Sequence, residues 1–182
     1  LNENPDMTLQ TIEGDSTFVK ELLTDGKCDI AFLRSESSSV KEFNSIPYMI
    51  DYLTAVLPAT HPLAKADNLP FEQLRGETFL LFPEHSFIND LCIRECRNAG
   101  FEPHIAYTGN RGATLIDLVR NGAGITLMMH HSARQENDSS LAFIPVTPGI
   151  YSYISLNYAK EKPLSPQAES FVRYVKAHKR DF

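Results

Sequence analysis

Chemistry in this 182-residue sequence could reside in a Gly122-Ala123-Gly124 step, in Cys28, Cys92 and Cys96, in His85, His130 and His131, and in polar residues that open helices. The glycine step invites comparison with a dinucleotide fingerprint, which requires a strand, then the glycines, then a helix whose N-terminus receives the pyrophosphate. Here the order is reversed. Ala113, Ile116 and Val119 recur at helical spacing before the glycines, and the apolar run Ile125 to Met129 follows them. The step therefore ends a helix and opens a strand, with Gly122 as the left-handed residue past the last turn and Gly124 allowing close packing. No H-x-x-x-H, C-x-x-C or carboxylate spacing accompanies the histidines, so no metal site is expected. With no G-x-S-x-G, no paired carboxylates and no Ser/His/Asp grouping, neither catalysis nor a cofactor is expected. Three cysteines do not form a disulfide framework, which favours a reducing, cytoplasmic setting. Cys92 and Cys96 share an apolar helical face with Ile88, Leu91 and Ala99 and read as buried packing, and Cys28, just before a core strand, reads likewise.

Anion binding is the remaining chemistry. Ser16 follows "IEGD", Ser86 follows "FLLFPEH" and Asn110 follows "HIAYTG", each at the start of a helix. Unpaired N–H groups and the positive end of the helix dipole favour an anion at such positions. Each residue is equally an ordinary N-cap, a role that contributes roughly 1 kcal/mol by itself. Arg34, with Ser35 beside it, ends the buried run "DIAFL", where strand tips of open α/β sheets face a ligand crevice. A solvated surface arginine is the alternative.

The elements that must position these residues alternate along the chain. Thr8 to Glu13 reads as a strand, and "GDSTFVKELLTDG" as a helix capped at Asp15 or Ser16, with Phe18, Val19, Leu22 and Leu23 on one face and a stop at Gly26. "CDIAFLR" is a short strand, "SESSSVKEF" a polar loop and "IPYMIDYLTAVLP" strand-like. "TFLLF", "SFINDLCIRECRNAG", "HIAYT", "NRGATLIDLVRNG" and "ITLMM" then alternate strand and helix as in a parallel α/β sheet. "SLAFIPV" and "IYSYISLNYA" add strands. The last helix, "SPQAESFVRYVKAHK", has Ser165 as cap, Pro166 in its first turn and a face of Phe171, Val172, Val175 and His178. The helix-free stretches around Tyr48 to Pro58 and Ile150 to Ala159 are expected to cross between two lobes. A composition of 42% hydrophobic and 22% charged residues is that of a globular domain. The net charge of -6 argues against a nucleic-acid surface, and no apolar run approaches the roughly 18 residues of a membrane span.

The succession "LLTDGKCDIAFLR", "VLPATHPLA", "FEQLRGETFLLFPEHS", "RNAGFEPHIAYTGN" and "LVRNGAGITLMM" resembles the effector-binding domain of LysR-type transcriptional regulators, in the family's order and over nearly the whole chain. The resemblance implies an α/β fold of two Rossmann-like lobes joined by crossover strands, like type 2 periplasmic binding proteins. Residues 1–51 and 154–182 would form lobe I, without the family's first strand and helix, and 52–153 lobe II. A small effector, expected to be anionic, would lie in the cleft between lobes, with Ser16, Arg34, Ser35, Ser86, Phe87, Asn110 and Met129 as its contacts. Met129 falls where many members carry proline, and it suits either an adaptable apolar wall or the core. Peroxide-sensing members carry a reactive cysteine in this region, but Phe87 occupies that position here and Cys96 matches only the second cysteine. The implied partners are a second copy or three further copies of the chain, DNA through a helix-turn-helix outside these residues, and RNA polymerase, with no membrane. A stand-alone solute-binding protein serving a transporter is the alternative, and residues preceding Leu1 would distinguish the two.

Overall fold

The computed structural model describes residues 8–134 and 138–178. In chain order the elements are α1 (Ser16–Thr24), β1 (Ala31–Ser35), β2 (Phe43–Pro58), β3 (Leu69–Pro70), β4 (Thr78–Leu81), α2 (Phe87–Asn98), β5 (His104–Thr108), α3 (Gly112–Arg120), β6 (Thr126–Met129), α4 (His130–Ala133), β7 (Leu141–Thr147), β8 (Tyr151–Ala159) and α5 (Pro166–Ala177). Short 3-10 turns at Pro62–Lys65 and Phe71–Leu74 flank β3. The chain divides into two compact units: unit 1 comprises the described residues up to Ile50 and from Tyr153, and unit 2 is Asp51–Ser152. Residues 1–7 and 179–182, assigned to the first lobe from the sequence, lie outside the described residues.

In unit 1, β1 pairs antiparallel with β8, from Ala31 opposite Asn157 to Ser35 opposite Tyr153, and β8 lies next to β2. Strand alternation sends Ala31 and Leu33 to one face, where they bury Leu23 of α1 together with Phe43. The opposite face carries Ile46 and Leu156 against Val172 and Val175 of α5. Two polar side chains inside this sheet are mutually satisfied: the Asn157 amide donates to the Ser155 carbonyl at 2.8 Å, and the Ser45 hydroxyl donates to Asn157 Oδ1 at 2.6 Å. Both terminal helices start as local chemistry dictates. Asp15 caps α1, and Ser165 caps α5 with Pro166 in its first turn.

Three expectations change here. Thr8 to Glu13 forms no strand: Leu9 and Ile12 are exposed, and three-residue spacing cannot place both on one face of a period-2 strand. Phe18, expected on the buried face of α1, is 43% exposed and lies over Gly14. His178 is exposed beyond the end of α5, its ring stacked on Tyr174 at a centroid distance of 4.0 Å.

Unit 2 is mixed rather than wholly parallel. β2 runs antiparallel to β6 and to β7, while β4 and β5 are parallel and β4 bridges in parallel to Ile125, just before β6. Leu80 N donates to Ile125 O and Ile125 N to Thr78 O, both at 2.8 Å. Gly124 makes this junction possible: a Cβ there would lie 2.4 Å from the Thr78 carbonyl oxygen. Gly122 holds φ at 75°, the left-handed stop of α3. One face of the sheet buries Phe79, Leu81, Leu127 and Met129 against Leu91, Cys92 and Cys96 of α2. The other buries Val56, Leu80 and Met128 against Leu115, Ile116 and Val119 of α3.

Candidate functional site

Because β4 and β5 are parallel, their carboxyl ends emerge on the same edge of unit 2, with Leu81 opposite Thr108 and Gly109 N donating to Leu81 O at 3.0 Å. β4 leads into α2 and β5 into α3, while β6, aligned in parallel with β4 through the Ile125 bridge, leads into α4. Three helix starts therefore share one edge, and each handles its exposed amides differently.

At α2, His85 turns the chain with φ at 65° and delivers Ser86 in an extended conformation. The Ser86 hydroxyl accepts from Asn89 N at 3.3 Å and donates to Pro83 O at 2.7 Å, a neutral cap. Phe87, half-buried, follows and packs against the larger core cluster. Asn89, 1% exposed, donates its side-chain amide to Phe82 O at 2.8 Å, and its Oδ1 has no partner among the described residues.

At α3 the expectation for Asn110 is corrected. The cap position is Arg111, one residue later, whose carbonyl accepts from Thr114 N and Leu115 N while its side chain makes no capping bond. The physical reason lies in the backbone: Arg111 is still extended while its carbonyl accepts the first helical hydrogen bonds, so Asn110 stands one residue outside the helix, and Gly112, the first helical residue, packs beside Phe82 and Met128. Asn110 is exposed just before the cap.

At α4 the amide end is held from β2. Asp51, 3% exposed, accepts at Oδ1 from His131 N at 3.1 Å and from Tyr52 N at 3.0 Å. The His130 ring stacks on Tyr52 with centroids 4.3 Å apart, and its Nδ1 lies 3.3 Å from Oγ1 of the fully buried Thr54. Burial, and then the nearby Arg134 guanidinium, hold the His130 imidazole below its ordinary range. Met129 is 2% exposed, part of the core, and its sulfur accepts from the Ser152 hydroxyl at 3.2 Å.

Unit 1 brings together Ser16, Arg34 and Ser35. Asp15, not Ser16, caps α1, its carboxylate accepting from Thr17 N at 2.9 Å and Phe18 N at 3.1 Å. The Ser16 hydroxyl instead accepts from the backbone N of Arg34 at 3.0 Å, and Ser35 donates to Ser37 O at 2.7 Å. Sequence reasoning missed Tyr52, Thr54, Asn89, Arg111 and His130 as residues of the unit 2 edge. A signal existed for two of them: Tyr52 and Thr54 are polar interruptions of the otherwise apolar run "YLTAVL".

Cys92 and Cys96 are fully buried as expected, and burial pushes the Cys96 thiol up to about 12 and Cys92 well above its usual value. Cys28 is only half-buried, because it precedes β1 rather than lying within the sheet, and burial with nearby Asp29 raises its thiol too. Among the described residues no group of side chains is placed to hold a metal ion, and no helix is long and apolar enough to cross a membrane.

The architecture is the type 2 periplasmic-binding-protein-like α/β fold. It is shared with the regulatory domain of CcmR from Synechocystis PCC6803, solved in complex with 2-PG, at a TM-score of 0.88 and 15% identity over 99% of this chain and 87% of that one. The effector binding domain of QuiR in complex with shikimate superposes with a TM-score of 0.78 at 20% identity, again over 99% and 87% of the two chains. The family model of the LysR substrate binding domain matches residues 1–180, and the chain belongs to that family. It is 25% identical over 174 residues to the transcriptional dual regulator GltC of Bacillus subtilis (strain 168), across 95% of this chain and 58% of that protein. The chain thus spans less than two thirds of the length of this relative, a transcriptional regulator.

Proposed function

We propose that this effector-binding domain recognises a small anionic effector and passes its presence to a DNA-binding helix-turn-helix carried by the remainder of a regulator. The observation that carries the reading is the shared edge of unit 2, where parallel β4 and β5 direct the starts of α2 and α3 the same way. Ser86 caps α2 without charge, α3 has no side-chain cap, and Arg111 stands at its start. Each helix terminus contributes about 0.3 to 1 kcal/mol toward an anion near solvent, and up to ~2 where partly buried. Ser86, Phe87 and Asn110 belong to this edge, with Met129 behind it. In unit 1, Arg34 with Ser16 and Ser35 supplies the charged contact. QuiR, with its carboxylate ligand shikimate, is a precedent within the fold.

Effector binding acts by population shift, with the effector favouring one conformation of the regulator over another. The acidic balance of this chain leaves phosphate contacts to another segment, and paired half-sites on DNA call for a homodimer or homotetramer. RNA polymerase is the further partner of such a regulator. The test is a thermal-shift screen of small carboxylates and phosphorylated acids against amines, followed by calorimetry. An anion is expected to bind, and Arg34→Ala is expected to weaken it by about one to two decades. A cationic effector of high affinity would overturn the reading.

A further inference from the structure

We propose that His130 is a specificity-determining residue of the unit 2 edge, a neutral imidazole locked as the Nε2–H tautomer that donates one hydrogen bond to the anionic effector. The inference rests on the anion-binding reading of that edge, and it comes from how completely this side chain is held. Its ring is stacked on Tyr52, 19° from coplanar. The next amide, His131 N, is tied to the buried Asp51 carboxylate, which fixes the start of α4 and hence the His130 backbone. Nδ1 faces Thr54 Oγ1.

That last contact decides the tautomer. Thr54 is fully buried, and among the described residues His130 Nδ1 is the only partner of its hydroxyl. A buried hydroxyl that kept its proton unpaired would bear a desolvation cost, so the hydroxyl donates and Nδ1 accepts. The ring proton then resides on Nε2. Nδ1 is directed at a buried group, the ring as a whole is half-buried, and Nε2, across the ring, has no partner among the described residues. A side chain fixed by stacking, by a second hydrogen bond and by its backbone, with one donor left over, is a preorganised recognition group. The charged and titratable neighbours are Asp51, Tyr52, His131 and Arg134. The Asp51 carboxylate is already engaged by two amides, and Arg134 adds positive charge favourable to an anion.

The test is a long-range proton–nitrogen correlation spectrum of the labelled chain, alone and titrated with shikimate and with inorganic phosphate as probes. Without either probe the Nε2–H tautomer is expected at neutral pH, giving way to a mixture in Thr54→Val; an Nδ1–H tautomer overturns the proposal. On titration, the Nε2 resonance is expected to shift together with the first-turn amides of α2 and α3. Affinity should then fall roughly tenfold or more in His130→Ala, where the charged hydrogen bond is lost. His130→Gln, whose amide reaches as far as Nε2, should restore most of it. Probes that shift the helix amides but not Nε2 refute the role of His130 and leave the anion reading standing. Probes that shift neither refute both.

Discussion

The two units differ in what their sheets hold. Unit 1 flanks its strands with two small buried clusters, and α1 contributes only Leu23 as a fully buried side chain. Unit 2 encloses its sheet between α2 with the 3-10 turns on one face and α3 on the other, burying Phe79, Leu80 and Leu81 almost completely. The helix starts differ in parallel. α1 carries its own carboxylate at Asp15, whereas the α2 cap is a neutral hydroxyl with the Asp90 carboxylate farther into the first turn, and α3 has neither a side-chain cap nor an acidic first-turn residue. A helix end already neutralised by an internal carboxylate has little left to offer an external anion. An end capped by a neutral group on a well-packed sheet retains that capacity.

The largest effect that tests this contrast is in the cores. Phe79→Ala should cost about 3–5 kcal/mol in urea unfolding, against under ~1 for the exposed Phe18→Ala. Equal losses would show that the units are equally well packed. The cysteines come next. Cys92→Ser or Cys96→Ser, placing a hydroxyl in an apolar site, should each cost about 1–3 kcal/mol. In the native protein only Cys28 should react readily with a thiol reagent followed by mass spectrometry, and modification of Cys92 and Cys96 at the same rate would contradict their burial.

The caps follow. Asp15→Ala and Ser86→Ala should each lower stability by about 1 kcal/mol. Ser86→Asp reproduces at α2 the arrangement found at α1: it should add about 0.3–1 kcal/mol to stability while weakening an anionic effector. Stronger anion binding in that variant would break the comparison. The smallest effect is pH dependence from His130. Its folded value lies below the ordinary imidazole value of 6.5, so the unfolded chain takes up the proton first. This residue's contribution is therefore intact above about 6.5, declines as pH falls below it and levels off beneath the folded value. Urea midpoints for wild type and His130→Gln should diverge from pH 7 to pH 5, and parallel curves would show that His130 is solvated like a free imidazole.

Local chemistry made much of the fold legible. Ser86 before α2, Ser165-Pro166 before α5, and Gly122 after α3 are stop and start signals that act within a turn of themselves. The apolar spacing around Cys92 and Cys96 likewise reports a face that any packed α/β arrangement must bury. The exceptions are residues whose outcome depends on distant neighbours. Asn110 has the residue type of a cap but loses the position to Arg111, whose carbonyl accepts the first helical hydrogen bonds where the chain packs Gly112 beside Phe82, just past β4, and Met128 of β6. Thr8 to Glu13 has strand-forming residues but remains irregular and exposed, since a strand forms only where a partner backbone meets its hydrogen bonds. For the site, the sequence by itself determined that Ser86 opens a helix and that Arg34 lies at the tip of a strand, one residue before its end, since these follow from spacing along the chain. Only the tertiary structure decided that Asp51, Tyr52 and Thr54 meet His130 and His131, nearly eighty positions away. It is the antiparallel register of β2 with β6, Leu53 opposite Met129, that brings those side chains within hydrogen-bonding and stacking distance.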